Sequence, residues 1–210
     1  MIRVLIFSAL LAVAASASAD DRAAAIRVGA GEAAAVFAGG CFWCVESDFD
    51  HVPGVLRTVS GYTGGDLTNP GYYDVTKGGT GHREAVFIVY DPATVSYEQL
   101  LNVFWRSVDP TDGGGQFCDR GESYTTAVFT RDEAQAAAAA RTRKEVAQQL
   151  DTEIATPIEP LTTFYPAETY HQDYYKKNPV RYRIYRYSCG RNAHVEDIWG
   201  DQAYAGIDKQ

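Results

Sequence analysis

The sequence predicts an α+β fold of the ferredoxin-like kind: a two-layer sandwich with split β-α-β-β-α-β order, long loops and a C-terminal tail that wraps the core. Three observations carry this expectation. Short runs rich in Val, Phe and Tyr alternate with segments of helical periodicity in that order. Clusters of Gly, Pro, Asn and Asp separate them. The chain has no internal repeat and no heptad pattern, so solenoids and coiled coils are set aside.

The elements follow in sequence. AAAVFAGG (33–40) reads as a strand running into a glycine turn, and CFWCVESDFDHV (41–52) as a helix with Phe42, Val45 and Phe49 on one side. Pro53 and Gly54 end that helix, and VLRTVSGY (55–62) alternates as a strand. Residues 63–82 form a loop in which aromatic residues sit among glycines, as functional loops are built. EAVFIVYD (84–91) is the next strand, and Ser96 with Gln99 makes a capping box for the helix SYEQLLNVFWRSV. A second glycine-rich loop, TDGGGQFCDRGES, leads to the strand YTTAVFT (124–130). Thr130 with Glu133 opens an alanine-rich helix to about Leu150, and TEIATPIEP (152–160) reads as a late strand. Residues 165–187 hold seven of the fourteen tyrosines, too aromatic for a free linker, and are expected to pack on the core.

The N-terminus carries Arg3, an apolar run from Val4 to about Ala15, and Ala17-Ser18-Ala19 before two aspartates. This is the pattern of a cleaved signal peptide, because a membrane anchor would need ~20 apolar residues. The expected organisation is a signal peptide at 1–19, a polar lead-in at 20–32, and one catalytic domain at 33–210 that includes the Tyr-rich tail. No later stretch is apolar enough to span a bilayer, so an exported, periplasmic protein is expected. Removal of Arg3 with the signal takes the formal net charge from −8 to −9. That balance disfavours nucleic acid and anionic lipid as partners, since both require a basic footprint. About 190 remaining residues suffice for one domain with a sizeable core, and a monomer is expected.

Four cysteines are too few for a disulfide scaffold, yet an oxidising compartment can pair them. Cys41 falls at a helix start, where unpaired N–H groups and the helix dipole favour a thiolate and lower its pKa. Gly39 and Gly40 permit close approach of another backbone or a ligand. Cys41-x-x-Cys44 with His82 and Glu84 superficially supplies the ligands and catalytic acid of a zinc deaminase. The order is reversed, however, and Cys118 and Cys189 lack the second close pair of a structural zinc site, so no metal is expected. A thioredoxin-like pair also fits the helix start, giving an exported thiol-disulfide oxidoreductase as the alternative function. A third reading is a non-catalytic domain with two structural disulfides. Gly113-Gly114-Gly115 lacks the strand-to-helix context of a phosphate or dinucleotide site.

Seven segments, GCFWCVE, SGYTGG, NPGYYDV, GTGHREAV, SYEQLLNVFW, DPTDGGGQFCDRGESY and YHQDYYKKNP, together resemble the peptide methionine sulfoxide reductase A family in order over about residues 34–200. The resemblance implies reduction of the S epimer of methionine sulfoxide. Cys41 matches the nucleophile, which ends as a sulfenic acid. Glu84 matches the acid, and that role requires a raised pKa; by position alone it reads as a solvated charge at a strand start. Tyr72 and Tyr124 align with donors to the sulfoxide oxygen, and Asp119 with a nearby polar residue. Phe42 and Trp43 match the pocket for the S-methyl group. His171 is assigned a structural or site-lining role.

The departure from the family is Cys44, where most members carry glycine. The sulfenic acid could be resolved by Cys189, in a mobile-looking tail at the family's usual resolving position, by Cys44 one turn from Cys41, or by Cys118 beside Asp119, in that order of preference. The implied electron donor is an external thioredoxin-like dithiol, with no bound metal, nucleotide or flavin.

Overall fold

The structure, a computed structural model, describes residues 24–208. The expected signal segment 1–19 lies outside the described residues. Strand β1 (Ala33–Gly39), helix α1 (Phe42–Asp50), β2 (Val55–Thr63), α2 (Tyr72–Lys77), β3 (Arg83–Tyr90) and α3 (Tyr97–Trp105) come first. A small hairpin β4 (Gly115–Gln116) and β5 (Asp119–Arg120) precedes β6 (Thr126–Thr130) and α4 (Glu133–Leu150). Then come β7 (Ile158–Pro160), β8 (Tyr165–Pro166), α5 (Tyr174–Lys177), α6 (Pro179–Ser188) and α7 (Arg191–Trp199).

The main sheet has the order β7-β6-β1-β3-β2-β8. β3 lies between β1 and β2 and is antiparallel to both, with Val36 opposite Phe87 and Val59 opposite Phe87 on its other side. β6 is antiparallel to β1. The four inner strands are therefore the ferredoxin-like split arrangement, extended by a parallel β7 and an antiparallel β8.

Strand periodicity decides what each face carries. Ala35, Phe37, Val86, Ile88 and Val128 point to the helix-covered side, where Phe49, Leu100, Phe104 and Trp105 meet them. Ala34, Val36, Phe87, Val89 and Phe129 point to the other side, beneath Ile26, Val28, Leu161 and Phe164. Burial on both faces explains why β3 reads as an unbroken apolar run.

Several boundaries differ from the sequence expectation. The Ser96–Gln99 capping box forms, with Gln99 N–H donating to Ser96 Oγ at 3.2 Å and Ser96 N–H to Gln99 Oε1 at 2.8 Å. The cap of α4 is Asp132, which accepts from the Gln135 N–H at 2.8 Å; Thr130 instead remains in β6 and bonds the Glu159 carbonyl. The late strand shrinks to 158–160 because the Ala155 and Thr156 N–H groups turn away to the Pro110 carbonyl. The loop 63–82 contains α2, whose Tyr72 N–H donates to Glu168 Oε1 at 2.9 Å, a partner 96 residues away that no local pattern could supply. YTTAVFT pairs only from Thr126, since Tyr124 closes a 3₁₀ turn, Glu122–Tyr124.

Trp105 is fully buried, and its indole N–H donates to Thr142 Oγ at 3.0 Å across the α3–α4 contact. Thr142→Val keeps the shape and strands that donor, which costs about 1–3 kcal/mol. A lower denaturation midpoint with an unchanged denaturant slope is the expected result; a midpoint equal to wild type would remove this bond from the stability of the core.

Candidate active site

β1 ends at Gly39, and Gly40 makes the turn into α1 at φ +82°. A Cβ there would lie 2.6 Å from Gln116 Cβ, so the close approach inferred from the glycine pair is real. Cys41 is then the N-cap of α1, with no side-chain capping bond. Cys41 is 6% exposed and Cys44 is 2% exposed.

Glu84 stands opposite Tyr62 in the β2–β3 ladder. It shares the parity of Val86 and Ile88, so its carboxyl enters the helix-covered face instead of solvent. There Oε2 accepts the Phe42 N–H at 2.9 Å, one of the orphan donors at the start of α1. Burial pushes the Glu84 pKa well up, Phe42 opposes this, and Asp119 and Cys44 add to it. The residue is therefore held as a neutral acid.

The expected aromatic residues gather around this pair. Tyr72 and Tyr124 hydrogen-bond one another and both sense Glu84; burial pushes Tyr72 up to about 12 and Tyr124 up as well. Phe42 lies 5.0 Å from the His171 ring centroid, and Tyr72 lies 4.5 Å from it. Trp43 Nε1–H donates to His171 Nδ1 at 3.0 Å. Burial lowers His171 to about 4, so the ring is neutral with its proton on Nε2, an atom without a hydrogen-bond partner among the described residues.

Sequence reasoning missed four contributors. Tyr174 stacks on Trp43 at 3.7 Å. Tyr185 packs edge-on against Trp43, hydrogen-bonds Cys41, and donates its hydroxyl proton to Asp119 Oδ2. Tyr62 donates to Glu168 Oε2 at 2.9 Å, and Glu168 also holds the start of α2. The tyrosine density of 165–187 was the available signal, but it could not say which rings turn inward. His82, by contrast, is committed to its own loop through Gly65 N–H and the Leu67 carbonyl and faces no ligand position.

The thiols divide against expectation. Cys41 is pushed well up by burial, then by Cys44 and Glu84, and only Tyr185 opposes. The helix start does not outweigh loss of solvent, so the expected depression of Cys41 in the resting enzyme is corrected. Cys44 is lowered to about 7 because Cys41 donates to it and because Arg191 and Arg186 face it against the cost of burial. Arg186 pairs with Asp48 at 2.7 Å, and Arg191 lies 3.9 Å from the same carboxylate. Arg191 also donates to the Gly39 and Ser107 carbonyls at 3.0 and 2.9 Å, fixing the turn that precedes Cys41. The two thiols are hydrogen-bonded to one another and titrate as a pair.

The first-preference resolving thiol is placed differently from expectation. Cys189 is joined to Cys118 in a disulfide with Cα atoms 5.0 Å apart, while Cys41 and Cys44 are free. Cys189 caps the end of α6 and Cys118 precedes β5, so the fold brings together two residues 71 apart. Cys189 Sγ stays near the centre, 3.9 Å from Asp119 Oδ2. Burial raises the pKa of Asp119.

A nucleophilic thiol, a neutral acid and two tyrosine hydroxyls around one point suit attack on a polarised sulfur–oxygen bond. The peptide methionine sulfoxide reductase family matches residues 33–203. The chain belongs to the peptide methionine sulfoxide reductase family. It is 57% identical over 173 residues to peptide methionine sulfoxide reductase MsrA 2 of Rhizobium meliloti (strain 1021), covering 82% of this chain and 86% of that one. It is 56% identical over 167 residues to MsrA 2 of Caulobacter vibrioides, covering 79% and 85%. Among solved structures, methionine sulfoxide reductase A of Corynebacterium diphtheriae superposes with a TM-score of 0.66 at 32% identity, over 72% of this chain and 77% of that chain. Reduced Mxr1 of Saccharomyces cerevisiae gives 0.68 at 30%, over 73% and 90%.

The division of the thiols is measurable in this family member. Thiolate absorbance of the reduced protein should show a titration near pH 7 that disappears in Cys44→Ser and survives in Cys41→Ser. Persistence of that titration in Cys44→Ser would reverse the assignment.

Proposed function

We propose that this reductase acts on the S epimer of methionine sulfoxide with Cys41 as nucleophile, Glu84 as acid and Cys44 as the first resolving thiol. The observation that carries the reading is the buried Glu84 carboxyl, kept protonated beside the thiol pair. The sulfoxide oxygen is received by the hydroxyls of Tyr72 and Tyr124 and the Glu84 proton. Phe42 and Trp43 present rings to the S-methyl group. Asp119 holds the Tyr185 hydroxyl beside Cys41, and as Cys41 becomes a thiolate that proton turns from Asp119 to the sulfur.

As Cys41 attacks the sulfoxide sulfur, its proton passes to Cys44 and the Glu84 proton goes to the oxygen. The protonated oxygen then passes from the substrate sulfur to Cys41 Sγ as the bond between the two sulfurs breaks, releasing the thioether and leaving Cys41 as a sulfenic acid. Cys44 attacks that sulfenic sulfur, water leaves, and a Cys41–Cys44 disulfide forms. Cys44 is favoured over Cys189 for this step because it already hydrogen-bonds Cys41, while Cys189 is engaged with Cys118. An external thioredoxin-like dithiol restores the thiols, and no bound cofactor takes part. The N-terminal sequence supports an exported, periplasmic location. Among the described residues no helix is long and apolar enough to cross a membrane.

Two experiments test the reading. Reduction of separated epimers of a blocked methionine sulfoxide should occur with S only, and Glu84→Gln should lower kcat by about 10²–10⁴-fold. Because the Glu84 pKa is raised and the acid must be protonated, activity should fall as pH rises through that value, and Glu84→Gln should abolish this limb. Equal turnover by Glu84→Gln would remove the acid role. In a single turnover Cys44→Ser should accumulate sulfenic acid trappable by dimedone; rapid formation of a Cys41–Cys189 disulfide in wild type would reassign the resolving step.

A further inference from the structure

We propose that the reduced protein carries a zinc site: once the Cys118–Cys189 disulfide is opened to two thiols, they join Asp119 in holding a borderline-soft divalent cation beside the β4–β5 hairpin. Sequence spacing argues against metal here, because Cys118 and Cys189 stand 71 positions apart. The fold removes that objection. It sets their Cα atoms 5.0 Å apart and brings both sulfurs and an Asp119 carboxylate oxygen within 4.8 Å of one another. Among the described residues this is the one group of three side chains with metal-ligating atoms gathered so closely.

The geometry suits tetrahedral zinc. With Zn–S and Zn–O distances of about 2.3 and 2.1 Å, a thiolate and a carboxylate oxygen on one ion lie roughly 3.6 Å apart. Cys189 Sγ is 3.9 Å from Asp119 Oδ2. Opening the disulfide takes two electrons and two protons from a dithiol, and it leaves Cys118, which is exposed, free to swing its sulfur to the third corner. Zinc then displaces the two thiol protons. Water takes the fourth corner from the open cleft that Cys118 and Cys189 line with Phe117, Arg120 and His194.

Groups that ligate metals are held in turn by outer hydrogen bonds, and these are already in place. The Cys118 N–H donates to Cys189 Sγ at 3.2 Å. The Tyr185 hydroxyl donates to Asp119 Oδ2, an oxygen that keeps a second lone pair for the ion. The positive side chains around the cleft are themselves neutralised. Arg120 is paired with Asp112, and His194 Nε2 lies 2.8 Å from Asp109 Oδ2. Arg191, which also faces Asp119, shares Asp48 with Arg186. Sulfur ligands select zinc over magnesium and calcium, which take oxygen. The ion links the β4–β5 hairpin to the end of α6 where the disulfide does, so the two elements stay joined in both redox states.

The test uses untagged protein in two states, with two free thiols per chain while the Cys118–Cys189 disulfide is intact and four once it is opened. Both are freed of reductant in the absence of air. Cobalt(II), a zinc stand-in whose thiolate bonds absorb in the near ultraviolet, should bind the reduced form at one equivalent per chain and be displaced by zinc. The disulfide form, in which Cys41 and Cys44 are still thiols, should bind neither ion. Asp119→Asn should weaken zinc binding at least tenfold, and Cys118→Ser at least a hundredfold. Equal binding by the disulfide form or by Cys118→Ser would place the ion elsewhere and overturn the proposal, as would no binding by the reduced wild type. Should Cys118→Ser fold poorly, zinc should protect Cys118 and Cys189 of the wild type from alkylation, as mapped by mass spectrometry; equal alkylation with and without zinc would overturn the site. The melting temperature of the reduced form should rise with zinc concentration and not with magnesium, and no rise would likewise overturn it. Sulfoxide reduction is assayed without metal, so none of these outcomes bears on the reductase reading.

Discussion

The hydrogen bond from the Phe42 N–H to the Glu84 carboxyl is the constraint on which the site depends. It joins the first turn of α1 to the start of β3, and it does so inside the helix-covered face, where an ionised carboxylate would be costly. The fold thereby fixes three things together: the position of Cys41, the burial of Glu84 and its protonation. Tyr62, paired with Glu84 across the ladder, ties the same point to Glu168 and so to the beginning of α2 and Tyr72. A single sheet register thus positions the Glu84 carboxyl and, through Glu168, Tyr72.

A second layer of control comes from the C-terminal helices. Arg186 and Arg191 bring positive charge beneath Cys44 and share Asp48 within α1. A buried ion cluster of this kind contributes little to net stability on average. Its effect here is to separate two thiols three residues apart, drawing the Cys44 pKa down while burial pushes that of Cys41 up. Arg191 also holds the Gly39 carbonyl, so the group that tunes Cys44 positions the turn before Cys41. Tuning and positioning are therefore coupled mechanically.

The sequence by itself determined the inner strand order, α1, α3 and the existence of α4, because periods of two and 3.6 and the Ser96–Gln99 box are local signals. It also placed Cys41 at a helix start, and the family resemblance brought Tyr72, Glu84, Asp119 and Tyr124 to it. Left to local pattern, Glu84 read as a solvated charge and Phe42 and Trp43 as core. The tertiary structure decided the rest. β3 parity turned Glu84 inward, Glu168 capped α2 from a distance, and Tyr174 and Tyr185 rather than their many neighbours met Trp43. Cysteine pairing is not deducible from spacing, since four cysteines allow three connectivities, and only the fold set Cys118 beside Cys189. The thiol electrostatics went the same way: the helix start favoured a Cys41 thiolate, but burial and two arginines more than 140 positions away in the chain reversed the order, because Coulomb energy in a low-dielectric interior depends on distance in space and not on distance along the sequence.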